Sequence, residues 1–320
     1  MRISDELQGA ATIGISGHIR PDGDCVGSCM SLYMYLKKEY KDAVIEVFLE
    51  EPPSVFECIR DIKEIRTDFK TDVDRFDVFI ALDTGKERMG EAEKFFDRAV
   101  KKINIDHHIS NTGSGDVNYI DPQASSTAEL VYRVLEEDKI DAEIAKAIYI
   151  GIIHDTGVLK YSNTTPETLI TAGKLISYGF DFSEIIEKTF YEKTYVQTLL
   201  LGRALLESIQ FMDGKCIVSA IHQRTLDFYQ ASTKDLEGIV SQLNMTKGVE
   251  CTIFMYQTGT MEYKVSLRSK GLVDVAKIAV LFGGGGHVRA SGCTMNGNFH
   301  DVVNNLSLHI ENQLKQNATV

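Results

Sequence analysis

Asn104-Ile105-Asp106-His107-His108-Ile109-Ser110-Asn111 decides how the rest of this 320-residue chain reads. Lys101 to Ile105 lead into it as a short apolar run of strand type, and Asn111, Gly113 and Gly115 follow as loop formers. An acid and two adjacent imidazoles thus stand where a strand gives way to a loop, the usual place for ligands in an open parallel sheet. Neighbouring residues at a strand end point to opposite sides, so His107 and His108 are expected to do different jobs, one binding a metal and the other reaching a substrate. Taken alone, the stretch is equally well explained as a solvated loop with two chance histidines.

Composition narrows the class. At this length two domains are expected. Apolar residues at 43%, charged residues at 25% and five prolines describe an ordinary soluble protein. No run approaches a membrane span, and Met1-Arg2-Ile3-Ser4-Asp5-Glu6 lacks the apolar stretch of a signal peptide. The six cysteines form no CxxC pair; Cys25 and Cys29, four apart on an expected helix, suit two small buried side chains at least as well as a zinc site. A reducing cytoplasm is the expected location. The net charge of −12 and the lack of a Lys/Arg-rich block argue against a grip on long nucleic acid. No membrane partner is expected either.

In chain order, Ala11–Ile15 reads as a buried strand running into Ser16-Gly17-His18-Ile19-Arg20-Pro21-Asp22-Gly23-Asp24, with a helix from about Asp24 to Lys38. Asp24 as an N-cap and Asp22 as a turn residue would explain these acids. His-x3-Asp-x-Asp at a strand end also offers three hard ligands to one cation. Further strands are expected at Val44–Leu49, Phe76–Leu82 (ending in Asp83), Lys101–Ile105 and Val117–Ile120, with a crossover helix at Glu87–Ala99. This order predicts an α/β fold with a doubly wound, mainly parallel sheet. Ser126 and Glu129 are spaced as a capping box, although the same helix start could hold phosphate. A helix over Ile144–Ile153 delivers His154 and Asp155. A first domain is expected over 1–185, a helical linker over 186–210 and a smaller α/β domain over 211–320. The latter should hold strands at Cys216–Ile221, Cys251–Tyr256 and Glu262–Leu267, and helices near Asp235–Leu243 and Val273–Phe282. It closes on Gly283-Gly284-Gly285-Gly286-His287-Val288-Arg289.

His18, Asp22, Asp24, Asp83, His107 and Asp155 all fall at element ends on one expected edge of the sheet. With Asp106 and His108 they resemble the four motifs of the DHH phosphoesterase superfamily, over about the first half of the chain. The second half resembles the associated DHHA1 domain through Ser266-Leu267-Arg268-Ser269 and Gly283-Gly284-Gly285-Gly286-His287. The pairing is similar to the bacterial nanoRNase group of oligoribonucleases and 3',5'-bisphosphate nucleotide phosphatases.

The resemblance implies two Mn²⁺ ions, with Mg²⁺ or Co²⁺ as alternatives. His18 and Asp22 would take one, Asp24, His107 and Asp155 the other, and Asp83 would bridge. It also implies that His108 holds the scissile phosphate or protonates the leaving oxygen, while Asp106 orients an imidazole. Four aspartates are roughly cancelled by two divalent ions, so substrate phosphates need other donors: Arg268, Gly285, Gly286, His287 and Arg289. Two domains closing over a cleft would hold a mono- or dinucleotide without a long basic track. The expected substrates are short RNA oligonucleotides, cleaved to mononucleotides, and nucleoside bisphosphates such as pAp, converted to AMP. Cleavage polarity and a homodimer stay open. His154, where the group commonly has Thr, and Leu159-Lys160, where it has an aromatic followed by Arg, bear on substrate preference. Competing readings are a phosphodiesterase for linear or cyclic dinucleotides (pApA, c-di-AMP), a manganese inorganic pyrophosphatase and an inactive nucleotide-binding protein.

Overall fold

Strands buried on both faces are built from near-continuous apolar runs, and the computed structural model, which describes residues 1–317, has such runs at the centre of its five-stranded first sheet, with the partly exposed Val117–Ile120 strand at one edge. A short helix α1 (Ile3–Glu6) precedes β1 (Thr12–Ser16), α2 (Gly23–Glu39), β2 (Val44–Phe48) and β3 (Val78–Leu82). Then come α3 (Glu93–Arg98), β4 (Lys101–Asp106) and β5 (Val117–Ile120). The strand order is β2-β1-β3-β4-β5 with every neighbour parallel. The connection out of β1 leads to β2 on one side and that out of β3 leads to β4 on the other, so the gap between the carboxyl ends of β1 and β3 is the topological switch point at which such sheets bind ligands.

The first unit, Met1–Glu192, is completed by α4 (Thr127–Val134), α5 (Ala142–Asp155), α6 (Pro166–Ile176), α7 (Phe182–Ile186) and a π-helical turn at Glu187–Tyr191. Ile13, Ile15, Leu82 and Ile105 pack with Leu130, Ile148 and the apolar side of α2 on one face. Phe48, Phe76, Phe79 and Phe96 fill the other. The crossover helix expected over Glu87–Ala99 is shorter than that: short 3-10 turns at Lys86–Arg88 and Gly90–Ala92 precede the six-residue α3, and Gly90 sits at φ +58°, which breaks a continuous helix.

The second unit begins at Lys193. Its first helix, α8 (Tyr195–Leu206), lies within the stretch 186–210 and buries Leu200 and Ala204 with Ile217, Leu226 and Leu243. There follow β6 (Ile209–Phe211), β7 (Cys216–Ile221), α9 (Gln223–Tyr229), α10 (Ile239–Asn244), β8 (Cys251–Gly259) and β9 (Glu262–Ser269). The last elements are α11 (Val275–Leu281), β10 (Gly285–His287), β11 (Ala290–Asn296) and α12 (Phe299–Asn317). The sheet is mixed, in the order β10-β11-β9-β8-β7-β6, and β7–β8 is its parallel pair. The glycine-rich stretch is therefore a strand, not only a turn. In α12, Val302, Leu306, Ile310 and Leu314 recur every four residues and are the buried ones. No helix among the described residues is long and apolar enough to cross a membrane.

Candidate metal centre

The loop after β1 brings in the first donors. His18 is 5% exposed, and its Nδ1 lies 2.8 Å from the Ile19 carbonyl oxygen. With the proton on Nδ1, Nε2 is left as the donor, 3.7 Å from Asp22 Oδ1 and 3.4 Å from Asp83 Oδ2. Asp22, not Asp24, caps α2: its Oδ1 accepts from Asp24 N and Cys25 N, both at 3.1 Å. Asp24 stands in the first turn and sends its carboxylate to α4, where Thr127 N donates to Oδ2 at 2.7 Å and Ala128 N to Oδ1 at 2.9 Å. Those helix-start amides hold a protein carboxylate, the anion a helix N-terminus favours. Half of the expected capping box forms there. Ser126 Oγ accepts from Glu129 N, but the Glu129 carboxylate turns to Ser125 N at 3.2 Å and Ser125 Oγ at 2.5 Å.

β3 delivers Asp83, 2% exposed and held at φ +59°, a left-handed conformation that Asp tolerates better than most residues. Its Oδ1 accepts from Thr127 Oγ1 at 3.0 Å. β4 ends on the acid and the two imidazoles follow it; instead of parting to opposite sides as alternation predicts, their rings meet edge-on at 4.6 Å and both reach toward Asp83 Oδ1. His107 Nε2 faces Asp24 Oδ2 at 3.9 Å, Asp83 Oδ1 at 3.7 Å and Asp155 Oδ2 at 3.6 Å. His108 turns its Nδ1 to Asp106 Oδ1 at 2.8 Å and remains 36% exposed. Asp106 is buried, and Asn111 Nδ2 donates to its other oxygen at 2.6 Å. Asp155 ends α5, and Asn163 Nδ2 donates to its Oδ2 at 3.2 Å. Thr127, Asn111 and Asn163 escaped the sequence reading because amides and hydroxyls that orient an acid carry no spacing rule.

The electrostatics call for a cation. Burial, with repulsion from Asp83 and Asp155, drives the Asp24 carboxyl well above its usual range. Burial likewise lifts Asp155 to about 6, with Asp83 and Asp22 adding repulsion and His107 countering it. Burial would lower His18, yet the Asp22 and Asp83 carboxylates push it up to about 11. Hydrogen bonding to Asp106 raises His108, and the bonds from His108 and Asn111 keep Asp106 low in spite of its burial. Among the described residues, the ion-pair partners of Asp24, Asp83 and Asp155 are all histidines. Donor atoms of Asp24, His107 and Asp155 lie within 4.8 Å of one another, as do those of His18, Cys25 and Asp83 and those of Asp83, Asp106, His107 and His108. Mixed imidazole and carboxylate donors with unbalanced negative charge fit divalent cations such as Mn²⁺.

His154 points elsewhere: Nε2 meets Thr189 Oγ1 at 3.0 Å, and Phe56 and Phe190 stand edge-on to the ring. Lys160 is exposed after a left-handed turn through Gly157, Val158 and Leu159. In the second unit, Ala290 of β11 pairs with Arg268 on one side and His287 on the other. Directly opposed residues share a face, so Arg268 and His287 lie on one face with only a small side chain between them. The next row, Ser266, Gly292 and Gly285, is also small. Gly286 sits at φ +140°, and a Cβ there would lie 2.5 Å from the Ala290 carbonyl oxygen. Arg289 is exposed at the hairpin end.

Residues 12–152 match the DHH family, N-terminal domain, and residues 213–316 match the DHHA1 domain. A bifunctional oligoribonuclease and PAP phosphatase NrnA of Thermus thermophilus is 31% identical over 293 residues, covering 89% of this chain and 84% of the relative. Its namesake in Bacillus subtilis is 28% identical, covering 89% of each chain. The crystal structure of an exopolyphosphatase-related protein from Bacteroides fragilis superposes with a TM-score of 0.89 at 26% identity, covering 99% of this chain and 96% of that one.

Proposed function

The chain belongs to the DHH family, with a DHHA1 domain following its parallel sheet, and from that premise we propose that it hydrolyses short oligoribonucleotides to mononucleotides and 3',5'-bisphosphate nucleotides such as pAp to AMP. The relatives named as oligoribonuclease and PAP phosphatase over nearly the full chain support this enzyme class, phosphodiesterase and phosphatase together. The observation that carries the reading is the position of Asp83. Its Oδ2 faces His18 and its Oδ1 faces His107, so one buried carboxylate addresses two sets of donors.

A pair of divalent cations, Mn²⁺ first and Mg²⁺ or Co²⁺ as alternatives, would supply an acidified water and neutralise the charge that develops on the phosphate. His18 and Asp22 would hold one cation and Asp24, His107 and Asp155 the other, with Asp83 shared. The α4 amides and Thr127 keep Asp24 and Asp83 aimed before any cation arrives. Such outer partners fix ligand geometry. Asp106 orients His108 through Nδ1, which leaves Nε2 for the scissile phosphate or the leaving oxygen. Arg268, Gly285, Gly286, His287 and Arg289 are assigned to the substrate's phosphates. The shared face of Arg268 and His287, floored by small residues, supports that role.

Turnover with Mn²⁺ on a five-residue RNA, pAp, a linear dinucleotide and pyrophosphate, side by side, tests the reading. Both the RNA and pAp should be cleaved, and His108→Ala should lose roughly 10²-fold or more in rate. Hydrolysis of pyrophosphate alone would overturn the nucleotide assignment, and no turnover on any substrate would overturn the enzyme.

A further inference from the structure

Cys25 is the one donor in this centre that the proposed reaction does not use. It lies in the first turn of α2, directly after Asp24, and is fully buried. Its thiol turns back toward the end of β1, 4.0 Å from the His18 carbonyl oxygen. One donor atom each from His18, Cys25 and Asp83 lies within 4.8 Å of the other two, and all three residues are buried. Gly17 makes the room: a Cβ at that position would stand 2.2 Å from the Cys25 sulfur. Cys29, one turn further along α2, shares the helix face but belongs to none of the donor clusters.

We propose that His18, Cys25 and Asp83 form a nitrogen–sulfur–oxygen site for thiophilic divalent ions such as Zn²⁺, Cd²⁺ and Co²⁺, competing with the sulfur-free arrangement that serves Mn²⁺. The proposal rests on the reading of His18 and Asp83 as metal ligands and adds the thiol to it. Thiolate is a soft ligand that Zn²⁺ and Co²⁺ take readily and Mn²⁺ does not, and affinities at mixed sites rise from Mn²⁺ through Co²⁺ to Zn²⁺. His18 Nδ1 is engaged by the Ile19 carbonyl, so Nε2 is the nitrogen available. Binding forms a metal–sulfur bond and releases the thiol proton to solvent, with no change of oxidation state. A metal held in this way draws Asp83 out of its shared position, so Zn²⁺ inhibits Mn²⁺-supported turnover.

The test is titration of Co²⁺ into the metal-free full chain carrying Cys58→Ser, which removes the exposed thiol. Visible d–d absorption reports bound cobalt, and a near-ultraviolet sulfur-to-cobalt charge-transfer band reports a thiolate ligand. The band should appear in this protein and with Cys29→Ser added. It should vanish with Cys25→Ser or Cys25→Ala while the d–d absorption remains, and Zn²⁺ affinity should fall roughly tenfold or more, at least what losing an outer-shell partner costs. X-ray absorption on the protein with one equivalent of Zn²⁺ needs no Cys25 variant and should show a sulfur neighbour at about 2.3 Å. Bound cobalt without the band, a band that survives loss of Cys25, or zinc without a sulfur neighbour overturns the thiol's role and leaves the Mn²⁺ reading standing. Failure to bind cobalt at all overturns both.

Discussion

At the scale of single residues, His107 and His108 stand ring against ring just past the end of β4 and both face Asp83, and their hydrogen-bond and ion-pair partners, not strand alternation, give them different settings. His107 Nε2 looks into three carboxylates, and His108 Nδ1 is bound by Asp106. If Asp106 only orients His108, Asp106→Asn should cut turnover roughly ten- to a hundredfold with Mn²⁺ content unchanged. The effect should fall on kcat more than on KM; metal analysis beside steady-state kinetics checks it, and loss of metal in the variant would make Asp106 a ligand. That His18, Asp22, Asp24, Asp83, His107 and Asp155 gather in one place was legible in the sequence, because each was expected at an element end on one sheet edge. Their supports were not. The side chains of Thr127, Asn111 and Asn163 reach Asp83, Asp106 and Asp155 by hydrogen bonds across 44, 5 and 8 positions of sequence, and no periodicity marks a residue for such a bond.

At the scale of elements, the parallel sheet was readable from its apolar runs, and β5 and β7 fall on the residues expected. Length failed where glycine interrupts, as in the shortened α3. It failed again where glycine forms strand, as in β10, whose pairing with β11 gives Gly285 and Gly286 a ladder that composition does not signal. Helix α2 crosses α5 closely at Gly27, where a Cβ would meet the Ala147 carbonyl oxygen at 2.6 Å and Gly151 N at 2.8 Å. Backbone atoms cannot swing aside, so Gly27→Ala should destabilise the first unit by about 1–3 kcal/mol in urea unfolding. Asp77 ties the start of β3 to β1. Its Oδ2 accepts from Ala11 N and Thr12 N, each at 2.9 Å, and from Thr12 Oγ1 at 3.0 Å. The Ala11 and Thr12 amides hold its carboxyl below the usual range. A depressed folded value stabilises the protein above the ordinary carboxylate pKa of about 3.9, and that stabilisation disappears as pH falls through the lower folded value. Asp77→Asn should therefore cost about 1 kcal/mol at neutral pH, and the gap to the parent should narrow below about pH 4; an undiminished gap in acid would assign the loss to packing.

At the scale of the whole molecule, two units have separate cores, and the proposed function gives them different parts of the chemistry. All the residues proposed as metal donors lie in the first unit. Mn²⁺ at a hundredfold excess over its dissociation constant should stabilise that unit by about 2.7 kcal/mol. Calorimetry with and without chelator should show one transition moving and the transition of the second unit standing still. An equal shift in both would mean that they unfold together. The net charge of −12 is consistent with short substrates, since a grip on long nucleic acid needs basic surface to release counterions. The most direct test of the account is anomalous diffraction at the manganese edge from Mn²⁺-soaked crystals of the full chain. Two peaks are expected, one on each side of the Asp83 carboxylate, toward His18 and toward His107, with loss of at least one in Asp83→Asn. A single peak away from Asp83, or none, would contradict it.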